Sequence, residues 1–354
     1  MKKGNTFFIV GMQRSGTTLL QKLLSQHSDI FMEPRSIAFR MISCMNNYYR
    51  LLPFNIQIEK NNFLQWLIKN DGKGRLAEIL DVQNVDQFEN VQELYEHSIS
   101  QKLEKNSKKI WGDKSPNLQY YLSDLKLLLP STKIIHIIRD GRSNAYSLST
   151  RGYRNLKLSA QNWVDGNVRG IVNQNILGKN NYLIIKYEDL LNHPETQMRM
   201  ICDFLNLPYF DSIIQLSGNG LAEEKNYVKS FFDTSKIDKW KTQLSPKEVK
   251  IIEKIQGPLL QKMGYELVND FKKSDFKLLS SRWKIYYNQL DNFRSIFRKK
   301  KIGMRNQQVI ELNMPLKNRL YDYIKSLIQD IFSKPIFYSL FKKSFYKKKY
   351  FEKE

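Results

Sequence analysis

Cysteine is nearly absent from this 354-residue chain: Cys44 and Cys202 are the only two. Two distant cysteines cannot frame a disulfide-stapled fold, and they lack metal-ligand spacing, so a reducing compartment is expected. Histidine is scarce as well. His27, His97, His136 and His193 stand apart, without the spacing of a zinc site, and no metal is expected to be required. Long apolar runs are missing. The first run, Thr6 to Val10, is broken by Gly11 and Arg14, which is too short for a signal peptide. No window of about 18 apolar residues offers a spanning helix. These absences together predict a cytoplasmic protein. Acidic charge is also in short supply, with 57 Lys and Arg against 35 Asp and Glu and a net charge of +22. The imbalance is uneven. Residues 271–354 carry 21 basic against 7 acidic side chains, and residues 1–270 carry 36 against 28. The chain is therefore read as a mildly basic body over 1–270 and a strongly basic tail over 271–354. Internal repeats and low-complexity linkers are lacking.

What is present alternates between two periodicities. "TFFIV" (Thr6 to Val10), "KIIHII" (Lys133 to Ile138) and "YLII" (Tyr182 to Ile185) are short, β-branched or aromatic runs. Such near-continuous apolar strands belong in a parallel sheet covered on both faces. Helical patterns separate them: Thr17 to Ser25 with Leu19, Leu20, Leu23 and Leu24 on one face, "SAQNWVDGNVRGIVNQNIL" and "HPETQMRMICDFLNL". Ser245 followed by Pro246 and Glu248 marks the start of a closing helix by its capping-box spacing. The segment from Ile37 to Lys109 reads as mostly helical, either the wall of an acceptor cleft or a cover for the sheet. Strands alternating with helices predict an α/β fold, a parallel sheet flanked by helices.

The stretch "FFIVGMQRSGTTLLQKLL" is a strand, a glycine-bounded loop and a helix. Gly11 and Gly16 have the spacing of the phosphate-binding loop G-x-x-x-x-G-K-[ST], but Thr17 stands where that loop has lysine. The glycines let backbone N–H groups converge, and the helix directs its positive end into the loop. Ser15, Thr17 and Thr18 add hydroxyls, and Arg14 adds a full charge. No acidic strand end suits magnesium, because Asp140 lies between Arg139 and Arg142. The loop is thus read as P-loop-like but built for a phosphate group handled without magnesium.

A second anion site is expected at the end of the Lys133 strand. In "IIRDGRSNAYSLSTRGY", Arg139, Ser147 and Arg151 are spaced by 8 and 4. A helix starting near Gly141 or Arg142 puts Ser147 and Arg151 one turn apart. Ligands of such sheets sit beyond the carboxyl ends of the strands, so both sites face one edge. Two phosphate sites call for a nucleotide with phosphates on both sides of its ribose.

The pair "MQRSGTTLL" and "IIRDGRSNAYSLSTR", with "WGDKSP", "KYEDLLNHP" and "DTSKIDKWK" following in order, resembles the sulfotransferases that use 3′-phosphoadenosine 5′-phosphosulfate. In motif detail the chain is most similar to tyrosylprotein sulfotransferases and related bacterial enzymes, over about Thr6 to Leu267. The resemblance implies that Arg14, Ser15, Gly16, Thr17 and Thr18 hold the 5′-phosphosulfate. It implies Arg139, Ser147 and Arg151 at the 3′-phosphate, Tyr187 lining the nucleotide, and Ser235 and Lys239 in a loop that closes over it. Sulfuryl transfer builds negative charge on the bridging oxygen, which needs a cation. Arg14 and Lys114 are the candidates, Lys114 standing where the resembling enzymes carry a catalytic lysine. The acceptor hydroxyl needs a general base. Glu33 is the first candidate and Asp113 the reserve. In tyrosylprotein enzymes the base would fall about two residues later, where this chain has Arg35.

The implied acceptor is a hydroxyl of a glycan, a lipid or a tyrosine, with a glycan or glycolipid preferred. A kinase using the loop on a triphosphate is disfavoured by Thr17. The tail carries two helical stripes: Phe276, Leu279, Trp283, Tyr286, Leu290, Phe293 and Phe297, then Leu316, Leu320, Tyr323, Leu327 and Ile331. Packing on the body, pairing into a homodimer and peripheral contact with the inner face of a membrane all suit such amphipathic helices. Nucleic acid is not expected as a partner, since no recognition motif accompanies the charge.

Overall fold

A computed structural model of the chain describes residues 5–34, 87–88, 91–122, 125–126, 129–150, 155–215, 232–280 and 284. Five strands form one parallel sheet: β1 (Asn5–Val10), β2 (Ile30–Met32), β3 (Ile110–Lys114), β4 (Lys133–Ile138) and β5 (Tyr182–Lys186). Their spatial order is β2-β3-β1-β4-β5. The order reverses at β1, which pairs with β3 on one side and β4 on the other. That reversal opens a crevice at the carboxyl ends of β1 and β4, the place where parallel sheets of this kind take ligands.

The apolar runs became strands because both faces of the sheet are covered. Phe7, Phe8, Ile9 and Val10 are all fully buried. Phe7, Ile9, Ile135 and Ile137 alternate onto one face. There they join α1 (Thr17–Leu24), α5 (Tyr187–Asn192) and α6 (Pro194–Leu205) in one apolar cluster. The other cluster gathers Ile138 with α3 (Gly141–Thr150), α4 (Leu156–Leu177), α7 (Lys239–Gln243) and α8 (Pro246–Lys262). The expected strands and the Ser245 capping box are all present. No helix among the described residues is long and apolar enough to cross a membrane.

Two strands escape a reading by periodicity. β2 is three residues long, and β3 ("IWGDK") contains Gly, Asp and Lys, residues that strands usually avoid. Pairing on both sides of β3 overrides that weak propensity. Of the Ile37 to Lys109 segment, residues 91–109 and the pair 87–88 are described, and they carry helix α2 (Val91–Lys105).

The tail stripe does not begin as a helix. Residues 276–280 are irregular and dock on the body. The cause lies in α8, where Pro258 has no N–H to give to the carbonyl of Lys254. The N–H of Lys277 fills that vacancy at 2.9 Å. Phe276 presses against Gly257, where a Cβ would come within 2.1 Å of its ring. The N–H of Leu279 donates to Gln161 Oε1 at 2.6 Å. Phe276 and Leu279 are thus packing residues of the body. Trp283, the stripe from Tyr286 onward and the second stripe lie outside the described residues, as do Arg35, Cys44 and Arg151.

Candidate active site

The loop after β1 turns on two glycines. Gly11 has φ 150°, and a Cβ there would sit 2.5 Å from the carbonyl of Ile137. Gly16 has φ 96°, and its Cβ would sit 2.3 Å from the ring of Tyr187. Any side chain at either position forces the loop off β4 or off the tyrosine. Between them Arg14 adopts φ 70°, a conformation uncommon for a residue with a side chain. Among the described residues no side chain caps the start of α1, which leaves its first N–H groups available to an anion.

The hydroxyls divide by burial. Ser15 is fully buried, and its Oγ accepts from Asn144 Nδ2 at 3.3 Å. The same amide donates to the carbonyl of Gln13 at 2.7 Å. Ser15 therefore braces the loop against α3. Thr17 is buried and Thr18 exposed at the helix start.

The two expected anion sites are joined in one constellation. Arg14 Nε donates to Ser147 Oγ at 3.0 Å. Arg139 Nη1 donates to the carbonyl of Arg14 at 3.4 Å, and Nη2 to the carbonyl of Lys236 at 2.6 Å. The Arg139 guanidinium lies 4.6 Å from the ring centre of Tyr187, a cation–π distance. Burial raises the Tyr187 phenol above its ordinary range, with Arg139 pulling the other way. Trp163 Nε1 fixes the main chain by donating to the carbonyl of Arg139 at 2.8 Å.

The 232–240 segment reaches the site through its backbone. Lys236 offers its carbonyl to Arg139, and Ile237 offers its carbonyl to Ser143 Oγ at 2.8 Å. Ser235 is exposed, with its N–H on Asp233 Oδ1 at 3.1 Å. Lys239 is exposed at the first turn of α7. Sequence reasoning missed Asn144, Ser143, Lys236 and Trp163, whose partners lie up to 131 positions away.

Asp140 is committed elsewhere. Arg142 donates to both of its carboxylate oxygens, at 2.7 Å from Nη2 and 3.1 Å from Nε, and Nη1 reaches Glu253 at 2.8 Å. The Arg142 guanidinium also lies 4.0 Å from the ring centre of Trp240. This buried network ties α3 to α7 and α8 directly behind the Arg139 corner. Breaking such a pair on one side costs about 3–5 kcal/mol.

On the other side of β1, β3 runs on beside the loop. Ser115 N–H donates to the carbonyl of Ile9 and Asn117 N–H to that of Gly11, both at 2.9 Å. Lys114 is the register partner of Ile9, and paired residues leave a sheet on the same face. Ile9 packs with α1, so half-buried Lys114 departs toward the face of α1, whose first turn follows the Gly11–Gly16 loop. Asp113, one residue away, leaves on the opposite face. It is fully buried and accepts from Ser115 Oγ at 2.8 Å.

Glu33 follows β2 at the same edge. Its N–H donates to the carbonyl of Gly112 at 2.7 Å, and its own carbonyl accepts from Gln21 Nε2 of α1. The residue is 3% exposed, and Oε2 is paired with Lys102 Nζ of α2 at 2.7 Å. Tyr95, on the same helix, is fully buried, and its hydroxyl has no partner among the described residues. Burial, then Asp113, then Glu33 push its phenol well above the ordinary value. Lys102 and Tyr95 left no signal in the sequence pattern.

A family model described as "Sulfotransferase family" matches residues 6–211, more than half of the chain. Protein-tyrosine sulfotransferase A of Caenorhabditis elegans is 24% identical over 276 residues, covering 73% of this chain and 67% of that protein. Protein-tyrosine sulfotransferase 1 of Danio rerio is 23% identical, covering 73% and 72%. Carbohydrate sulfotransferase 2 of Homo sapiens is 29% identical over 93 residues, covering 25% and 18%. Among solved structures, the sulfotransferase domain from the Synechococcus PCC 7002 olefin synthase superimposes with a TM-score of 0.51 at 22% identity, covering 75% of this chain and 97% of that domain. The sulfotransferase domain from the curacin biosynthetic pathway gives 0.50 at 23%, covering 75% and 99%. These two likenesses concern the fold.

Proposed function

The chain belongs to the sulfotransferase family, and on that footing we propose that it moves the sulfuryl group of 3′-phosphoadenosine 5′-phosphosulfate onto an acceptor hydroxyl. One observation carries the donor half of this reading: Arg14, Ser147 and Arg139 are hydrogen-bonded into one strip that begins at the Gly16 turn. A single adenosine with phosphates at its 5′ and 3′ positions spans such a strip.

In this reading the loop N–H groups, Thr17 and Thr18 hold the 5′-phosphosulfate. Arg139 and Ser147 hold the 3′-phosphate, with Arg14 between the two and Arg151 adding charge. Tyr187 supports the nucleotide from the side of Arg139, and the segment with Ser235 and Lys239 covers it. The acceptor oxygen forms a bond to sulfur as the bond from sulfur to the bridging oxygen breaks. The electron pair of that bond goes to the departing bisphosphate, where Lys114 and Arg14 stabilise it. Glu33 takes the proton of the acceptor hydroxyl. Asp113 is the weaker candidate, since it is fully buried and already accepts from Ser115 Oγ.

Glycan or glycolipid and tyrosine hydroxyls are the two acceptor classes. The match to a carbohydrate sulfotransferase supports the first. The greater coverage by protein-tyrosine sulfotransferases supports the second. The test is incubation with the phosphosulfate donor in EDTA, with oligosaccharide, glycolipid and tyrosyl-peptide acceptors, read by mass spectrometry. Transfer to at least one hydroxyl class without metal is expected. Turnover that needs magnesium and a triphosphate would refute the reading.

A further inference from the structure

The carboxylate on the acceptor side is clamped by a residue that no motif marks. Lys102 lies on α2, 69 positions from Glu33, and its Nζ meets Oε2 at 2.7 Å. Its ammonium also lies 5.9 Å from the ring centre of Phe31, on β2. The lysine side chain is 23% exposed and the Glu33 side chain 4% exposed. Backbone bonds fix both sides of Glu33, through Gly112 and through Gln21. The side-chain torsions are then what remains to be set, and the ion pair sets them. Oε2 is engaged, while Oε1 accepts no hydrogen bond among the described residues. A base needs that asymmetry: one oxygen held, the other left to receive a proton.

We propose that Lys102 is the positioning residue of this enzyme, holding Glu33 so that Oε1 is its proton-accepting atom. The proposal rests on the reading of Glu33 as the general base. Two neighbours on other elements define its surroundings. Asp113 on β3 and Glu33 both raise the buried Tyr95 phenol of α2, whose hydroxyl has no hydrogen-bond partner among the described residues. In the proton transfer itself, the acceptor O–H bond breaks, Oε1 gains the proton, and Lys102 remains charged beside a neutral acid.

The test is a double-mutant cycle on the full chain with Glu33→Gln, Lys102→Met and the pair, plus Lys102→Arg. Release of adenosine 3′,5′-bisphosphate from the phosphosulfate donor is followed with a tyrosyl peptide, an oligosaccharide and water as acceptor probes. Bisphosphate affinity is measured alongside. Lys102→Met is expected to lower kcat about 10–100-fold, consistent with a misplaced reacting group, with the donor KM unchanged. Lys102→Arg recovers most of the rate. In the Glu33→Gln background, Lys102→Met has no further effect, because the residue acts only through that carboxylate. The pair removes both charges together and so avoids the buried unpaired charge that a single change leaves; its folding checks that the losses are catalytic. Wild-type kcat in Glu33→Gln would refute the base assignment itself. A large loss in Glu33→Gln, with an equal and independent loss from Lys102→Met in both backgrounds, would overturn the positioning role alone.

Discussion

The two halves of this sheet edge are built by different rules. Around β1 and β4 the edge is made of backbone donors and cations: the Gly11–Gly16 turn, the start of α1, and Arg14 bonded to Ser147 under Arg139. Around β2 and β3 it is made of carboxylates, Glu33 and Asp113, each already engaged by a neighbour. The first half is suited to a polyanion. The second is suited to taking a proton. A reaction that delivers a group from an anionic donor to a hydroxyl requires both, side by side. Lys114 stands at the seam. It belongs to β3 but leaves the sheet on the face of Ile9 and α1.

Because of that position, Lys114→Met is expected to cause the largest effect on the reaction. It should lower kcat by about 10²–10³-fold, the usual loss for one charge-stabilising group. Bisphosphate affinity should stay within about threefold. Loss of binding instead of rate would move Lys114 wholly into the donor half.

Arg139→Ala separates the halves from the other direction. The guanidinium makes two hydrogen bonds to backbone carbonyls and rests on Tyr187. Its removal should weaken bisphosphate about 10–100-fold, since charged hydrogen bonds are worth about 1.5–3 kcal/mol. Affinity for adenosine 5′-monophosphate, which has no 3′-phosphate, should change little. Equal losses for both ligands would show that Arg139 only holds the loop together.

A pH effect should arise in the scaffold that both halves share. His136, in the middle of β4, is fully buried, with Tyr182 Oη 2.9 Å from its Nδ1. Burial lowers its pKa from 6.5 to about 4. The unfolded chain therefore binds the proton first as pH falls. Stability is intact above pH 6.5 and declines between 6.5 and about 4, by roughly 1.4 kcal/mol per pH unit. Urea unfolding at pH 7 and pH 5 should show about 2 kcal/mol of loss from this group. His136→Gln should remove that part of the slope, and an unchanged slope would show that the imidazole is not neutral in the fold.

The smallest effect is expected at Tyr95. Its hydroxyl has no partner among the described residues. Tyr95→Phe should leave thermal stability within about 0.5 kcal/mol, because no hydrogen bond is lost. A marked destabilisation would show that the hydroxyl is paired in solution.

The arrangement around β1 and β4 was legible in the sequence because its residues are contiguous. Gly11 to Thr18 lie in one run, and Arg139 and Ser147 lie within one strand end and helix. Their types report a turn, a dipole and a charge without reference to the rest of the chain. The fold was legible where strands are wholly apolar, as in β1, β4 and β5. It was not legible at β2, three residues long, or at β3, whose Gly, Asp and Lys are held in place by neighbours on both sides. Around β2 and β3 the sequence singled out Glu33 and Asp113 but not the residues that engage them. Glu33 means little alone, and the lysine that gives it a fixed orientation is 69 positions away on a helix with no motif. Periodicity misled once more at Phe276 and Leu279, whose helical spacing hides an irregular segment drawn onto α8 by the carbonyl that Pro258 leaves open.

Metal-free calorimetry with adenosine 3′,5′-bisphosphate and with ATP tests most directly whether one ribose bridges the Gly16 turn and Arg139. Micromolar binding of the bisphosphate, and binding of ATP at least tenfold weaker, is the predicted result. Equal affinity for the two nucleotides would contradict it.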